Sequence, residues 1–121
     1  LGPDGWSLLL LALQEIRDYR GGIEAADAAL REHPGFSQLL NNRGVLKHLA
    51  GDQAGAVKDF KAAAWADPMN FSAHMNLGAA LERAGDGPGA AGAYAMAAIA
   101  AGSPEEGERA AGARARAAAG R

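Results

Sequence analysis

The sequence predicts an all-α fold, an array of three antiparallel helix pairs followed by one further helix. Three observations carry this. Residues 37–70 and 71–104 repeat one another at a spacing of 34: Asn42 recurs as Asn76, Gly44 as Gly78, Gly51-Asp52 as Gly85-Asp86, Ala56 as Ala90, Phe60 as Tyr94 and Ala63 as Ala97. The register extends backwards, with Pro68 falling on Pro34, Ala63 on Ala29, Asp52 on Asp18 and Leu40 on Trp6. Apolar residues inside each repeat recur at helical spacing. A period of this length means that each unit buries its apolar face against its neighbours.

The first unit, about 3–36, is the most divergent, with Gly22 at the position of Ala56. In the second, about 37–70, Leu39, Leu40, Leu46 and Leu49 predict a helix from about Gln38 to Ala50. Gly51 supplies a left-handed turn and Asp52 a cap for the next helix, which runs to Ala66. Asp67-Pro68 ends it, because proline disfavours helical geometry in the residue before it. The third unit, about 71–104, repeats the pattern with Gly85-Asp86. Ser103-Pro104-Glu105-Glu106 then opens a helix running to about Ala119, with a serine cap, proline in the first turn and glutamate three residues on. Forwards, Gly78 falls on Gly112 and His74 on Glu108. Gly44, Ala56 and Ala63, with Gly78, Ala90 and Ala97, are expected where two helices of one unit approach closely. Phe60 and Tyr94 are expected between neighbouring repeats.

The pattern resembles the tetratricopeptide repeat family. The residues that carry the likeness are Asn76-Leu77-Gly78, Gly85-Asp86, Ala90, Tyr94 and Ala97, and Asn42, Gly44, Gly51-Asp52, Ala56, Phe60, Ala63 and Asp67-Pro68. The likeness covers about 102 of the 121 residues, with Leu10 where glycine is usual, Arg43 where leucine is usual and Gly102 where proline is usual. It implies a single domain over 1–121, a right-handed superhelix and a capping role for the last helix. It also implies a non-catalytic module that binds a peptide or partner protein.

Composition agrees. A net charge of −2 argues against a nucleic-acid partner. The longest apolar run, Leu8 to Leu13, is too short for membrane insertion. Zero cysteines exclude disulfides and thiolate metal sites, and suit a soluble chain of cytoplasm or periplasm alike. The lack of an initiator methionine points to a fragment or processed chain with flanking repeats or domains. No cofactor or metal is expected. His33, His48 and His74 share no spacing, and His74, at the position of Trp6, is expected to pack. The serines sit at helix starts and the glycines at repeat boundaries and helix contacts, so no phosphate loop is present.

In such an array the first helices line a concave groove. Gln38, Asn41, Asn42, Val45, His48 and Leu49 share one face by their spacing. Ser72, Met75, Asn76, Ala79, Glu82 and Arg83 are their equivalents in the third unit, and Asp4, Ser7, Leu8, Leu11, Gln14 and Glu15 in the first. Arg109 and Arg116 extend the line on the last helix. Asn42 and Asn76 are the sharpest candidates, since an amide can donate to and accept from a peptide backbone whatever its sequence. The resemblance implies this too, because some members of the family hold extended peptides with an asparagine ladder. The family's carboxylate clamp is not supported, since Ser7, Leu11, Ser72 and Asn76 occupy its positions. A second candidate interface is the outer face of the second helices, with Trp65, Met96 and Ile99. It offers a surface for self-association, or for a structural role in a larger assembly of the bacterial secretion or pilus type.

Overall fold

A computed structural model describes residues 1–120. These form seven helices and no strand: α1 (Pro3–Glu15), α2 (Tyr19–Glu32), α3 (Ser37–Leu49), α4 (Gln53–Ala66), α5 (Phe71–Arg83), α6 (Gly87–Ala100) and α7 (Pro104–Ala119). The predicted boundaries hold to within a residue or two. The chain groups into two compact units, Leu1–Ala66 and Asp67–Arg121.

Punctuation explains the boundaries. Gly51 (φ +95°) and Gly85 (φ +83°) adopt the left-handed conformation that ends α3 and α5. Their counterpart after α1 is Arg17 (φ +63°), which holds the same conformation without the freedom of glycine. Asp18, Asp52 and Asp86 then cap the following helices, their side chains accepting from the N–H groups of Gly21, Gly55 and Gly89 at 2.8–2.9 Å. Ser103 caps α7 by accepting from Glu106 N, and Glu106 Oε1 accepts in return from Gly102 N at 2.8 Å. The return bond reaches one residue further back than in the usual capping box.

In the first unit α3 packs against α1, α2 and α4. Its core is Leu10, Ala26, Ala29, Leu39 and Leu46, with Trp6, Tyr19, Ile23 and Leu30 around it. Gly22 is small because Leu46 lies over it: a Cβ there would stand 2.8 Å from Leu46 Cδ2. In the second unit α6 packs between α5 and α7, and Tyr94 and Ala90 meet Ala113 and Ala117 of α7. The last helix thus covers the α5–α6 pair with alanines.

Tyr94 meets Ala113 and Ala117 of the following helix, as expected of it. Phe60 and Tyr94 also make a contact within their own helix pairs, each ring set on the glycine of the partner helix. A Cβ on Gly44 would meet Phe60 Cε1 at 2.5 Å, and one on Gly78 would strike Tyr94 Cε1. The repeating glycine–aromatic couple is therefore an intra-pair contact: the missing Cβ makes room for a ring.

Arg43 departs from the repeat pattern for a physical reason. Its Nη1 donates to Asp27 of α2 at 2.9 Å, and its Nε and Nη2 grip both oxygens of Asp59 of α4 at 2.8 Å. Lys47 Nζ adds a contact to Asp59 at 3.1 Å. Asp59 is buried, 2% exposed, so its charge is tolerated only because two cations neutralise it. The doubled contact with Asp59 raises the Arg43 pKa against the opposing effect of burial, fixing the guanidinium as a cation. One side chain thus joins three helices.

Candidate functional site

The α3 face is narrower than its periodicity suggests. Gln38 and Leu49 are exposed, and Val45 and His48 are half-buried. Asn41 and Asn42 are 4% and 7% exposed, so neither amide lies open on the surface. A helix with three neighbours keeps only a thin strip in solvent, and the two asparagines fall on its shoulders. Gln38 lies across Asn42 and donates from Nε2 to Asn42 Oδ1 at 3.0 Å. The Asn42 Nδ2 group is buried with no hydrogen-bond partner among the described residues. His48 Nδ1 sits 2.9 Å from Gln53 Oε1 at the α3–α4 turn. On α1, Leu8, Leu11, Asp4 and Glu15 are exposed, while Ser7 and Gln14 are half-buried. The solvent side of the α1 and α3 faces therefore carries apolar leucine and valine beside amide and carboxylate.

On α5, Ser72 and Arg83 are exposed, and Met75, Asn76 and Ala79 are half-buried. Glu82 was expected to face a ligand, but its carboxylate is engaged within the unit. It accepts a short hydrogen bond from the Tyr94 hydroxyl and pairs with Arg116 of α7 at 2.9 Å. The Arg116 hydrogen bond, followed by that from Tyr94, holds Glu82 below the usual carboxylate range. Burial, with Glu82 as hydrogen-bond acceptor and neighbouring charge, pushes Tyr94 up to about 12. Arg109 is exposed, its guanidinium 5.6 Å from the Phe71 ring centroid, a cation–π contact between the starts of α7 and α5. A cleft of about 160 Å³ is lined by Glu82, Gly85, Gly87, Arg116, Ala117 and Gly120. It is smaller than the several hundred Å³ of an ordinary small-molecule pocket.

On the second helices, Trp65 is 89% exposed, Ile99 69% and Met96 42%, and Met69, beyond α4, is 60% exposed. The histidines do not converge. His33 Nε2 lies 3.1 Å from Leu1 O, and buried His74 lies 2.8 Å from Pro68 O. The latter contact gives His74 the packing role expected of it. No group of three histidine or carboxylate residues among those described is placed to hold a metal ion. Among the described residues no helix is long and apolar enough to cross a membrane. The charged cluster on Arg43 escaped the motif reading, although its signal is present: Asp27 and Asp59 each lie sixteen residues from Arg43.

No family model and no curated protein matches the chain. Solved structures match it over nearly its whole length. The Sgt2 TPR domain from Aspergillus fumigatus is 25% identical, covering 95% of this chain and 79% of that one, with a TM-score of 0.83. The TPR2B domain of yeast Sti1, solved with pHsp70, is 15% identical with a TM-score of 0.86, covering 98% of this chain and 97% of that one. PcrH, solved with the chaperone binding region of PopD, is also 15% identical with a TM-score of 0.86, covering 98% and 95%. The 34-residue repeat and these three likenesses agree, and in fold and repeat pattern the chain is a tetratricopeptide repeat array.

Proposed function

We propose that the chain is a non-catalytic interaction module that binds extended segments of a partner protein on the solvent faces of its first helices, α1 and α3 in one unit and α5 in the other. The observation that carries this reading is the Gln38–Asn42 pair. A buried amide N–H without a partner costs about 1–3 kcal/mol, and Asn42 Nδ2 is such a group. Gln38 is exposed and its side chain is free to swing aside. A peptide amide then takes its place at Asn42 Oδ1, and a peptide carbonyl accepts from Nδ2. Asn76, at the equivalent position on α5, serves the same role, with Met75 and Ala79 beside it. Leu8, Leu11, Val45 and Leu49 favour apolar side chains in the bound segment, and Arg83 and Arg109 favour acidic ones near α5 and α7. The peptide and partner-protein complexes of Sti1 TPR2B and PcrH support the general mode; neither names a partner for this chain.

A second reading rests on Trp65, a large apolar residue left almost wholly exposed. In it the outer helix faces, with Met96 and Ile99 in the other unit, make the chain a structural subunit of a larger assembly. Capture from a lysate of the source cell separates the two, using wild type, Asn42→Ala/Asn76→Ala and Trp65→Glu after circular dichroism has shown that each folds. A partner lost only with the asparagine pair supports the groove. A partner lost only with Trp65→Glu moves the function to the outer face. Retention by both variants overturns both assignments.

A further inference from the structure

Helices α1 and α3 pack against each other within the first unit, and their solvent faces make one furrow. The 34-residue repeat matches their positions level by level: Asp4 with Gln38, Leu8 with Asn42, Leu11 with Val45, and Glu15 with Leu49. The middle of the furrow is apolar, with Leu8 69% exposed and Leu11 51%. Its two ends on α1 are exposed carboxylates, Asp4 and Glu15.

The charge of the furrow is unanswered. Among the described residues neither carboxylate has a hydrogen bond or an ion pair, and Arg17, next along the chain, does not pair with Glu15. The cations of α3 are engaged elsewhere, Arg43 with Asp27 and Asp59 and Lys47 with Asp59. Asp4 suits the first turn of a helix. Glu15 does not suit the last, where a carboxylate opposes the helix dipole and α1 has no basic residue beside it. A second, independent feature lies between these ends: the Asn42 Nδ2 group, on a side chain only 7% exposed, has no partner.

We infer that this furrow takes a basic and apolar segment of a partner protein, with two cationic side chains about five residues apart and aliphatic side chains at alternate positions between them. The inference rests on the groove reading above and adds the chemistry of the ligand. Asp4 and Glu15 are about 16 Å apart along the helix axis at 1.5 Å per residue, the span of about five extended residues. One cation meets Asp4 and the other Glu15. The aliphatic side chains rest on Leu8, Leu11 and Val45, and a backbone carbonyl accepts from Asn42 Nδ2. An acidic segment of the same shape sets like charges together at both ends.

The test uses three synthetic fluorescent peptides and reads their anisotropy at low ionic strength. One has two lysines so spaced, with two leucines at alternate positions between them and serine elsewhere. The second replaces the lysines with glutamate, and the third replaces the leucines with serine. Wild type is expected to bind the lysine–leucine peptide at least about 10-fold more tightly than the glutamate peptide, and the difference should shrink as salt is added. The serine peptide should bind more weakly too, having no apolar side chain to bury. Asp4→Asn/Glu15→Gln should make the lysine and glutamate peptides equal, and Asp4→Lys/Glu15→Lys should invert their order. Glu15→Lys alone should raise the urea midpoint while weakening the lysine peptide, a pairing that a purely structural role for Glu15 would not give. All these positions are exposed, and circular dichroism checks the fold of each variant. Equal binding of the lysine and glutamate peptides by wild type, lost in Leu8→Ser/Leu11→Ser, overturns the basic ends and leaves the groove standing. Binding of none of the peptides overturns the furrow as a peptide site altogether. Binding that Leu8→Ser/Leu11→Ser leaves intact lies elsewhere and overturns the inference, as does a doubled mass in sedimentation that the same variant abolishes, since a second copy then fills the furrow.

Discussion

Gly44 and Gly78 are the positions where one methyl group decides the packing. Alanine at either places a Cβ on the ring of Phe60 or Tyr94, closer than real Cβ contacts allow. Each ring is buried and has no room to retreat. Gly44→Ala and Gly78→Ala should each destabilise by about 1–3 kcal/mol, the usual range for overpacking. Gly92 and Gly112 are helical glycines with nothing within 4 Å of an added Cβ. Alanine there should stabilise by about 0.5–1 kcal/mol by removing backbone freedom from the unfolded chain. Urea denaturation of the four variants checks the opposite signs; a shared sign would refute the packing account. Gly44 and Gly78 were legible in the sequence because the 34-residue repeat marks them. Their contact was not: a repeat shows that a small residue is needed, but not which neighbour needs the space. The Asn42 amide is a similar case, its helix face legible and its depth set by neighbours that periodicity does not count.

Between elements, the hydrogen-bonded cluster of Tyr94, Glu82 and Arg116 ties α6, α5 and α7 together. Tyr94 titrates near 12 in the fold, against an ordinary value of 10.0. Its raised pKa contributes stability that is complete below pH 10 and is lost as pH rises through 12. The depressed pKa of Glu82 works from the other side, contributing stability present above about 4.5 and lost as pH falls through the folded value. Tyrosine occurs twice in the chain, so Tyr19→Phe leaves Tyr94 as the only phenol. Near-ultraviolet titration of that variant should show phenolate forming about two pH units above a free tyrosine. Glu82→Gln should bring the midpoint down, because the carboxylate contributes both as acceptor and as charge. An ordinary midpoint in the parent variant would mean that the cluster does not form. The helices were legible in the sequence almost to the residue, since caps, left-handed turns and proline are local signals. The clusters on Glu82 and Arg43 were not. Each depends on side chains from three helices, and an arginine where leucine is usual reads as divergence until Asp27 and Asp59 are seen on either side of it.

For the whole molecule, the two compact units set how damage spreads. In a repeat array stability is approximately a sum of local terms and nearest-neighbour terms, so a substitution weakens its own surroundings first. Gly78 and Tyr94 both lie in the second unit, and their contact is internal to it. Hydrogen exchange on Gly78→Ala should therefore show protection falling across α5, α6 and α7. The backbone amides of α1, α2 and α3, whose core rests on Leu10, Leu39 and Leu46, should keep most of theirs. Gly44→Ala should give the reverse pattern, because Phe60 and Gly44 both belong to the first unit. Two variants of matched chemistry then act as reciprocal probes of one chain. If either lowers protection equally in both units, the molecule unfolds as one cooperative body, and the additive picture fails. If each acts mainly at home, one unit opens while the other still holds its binding face, and a ligand on either face protects that unit more than the other.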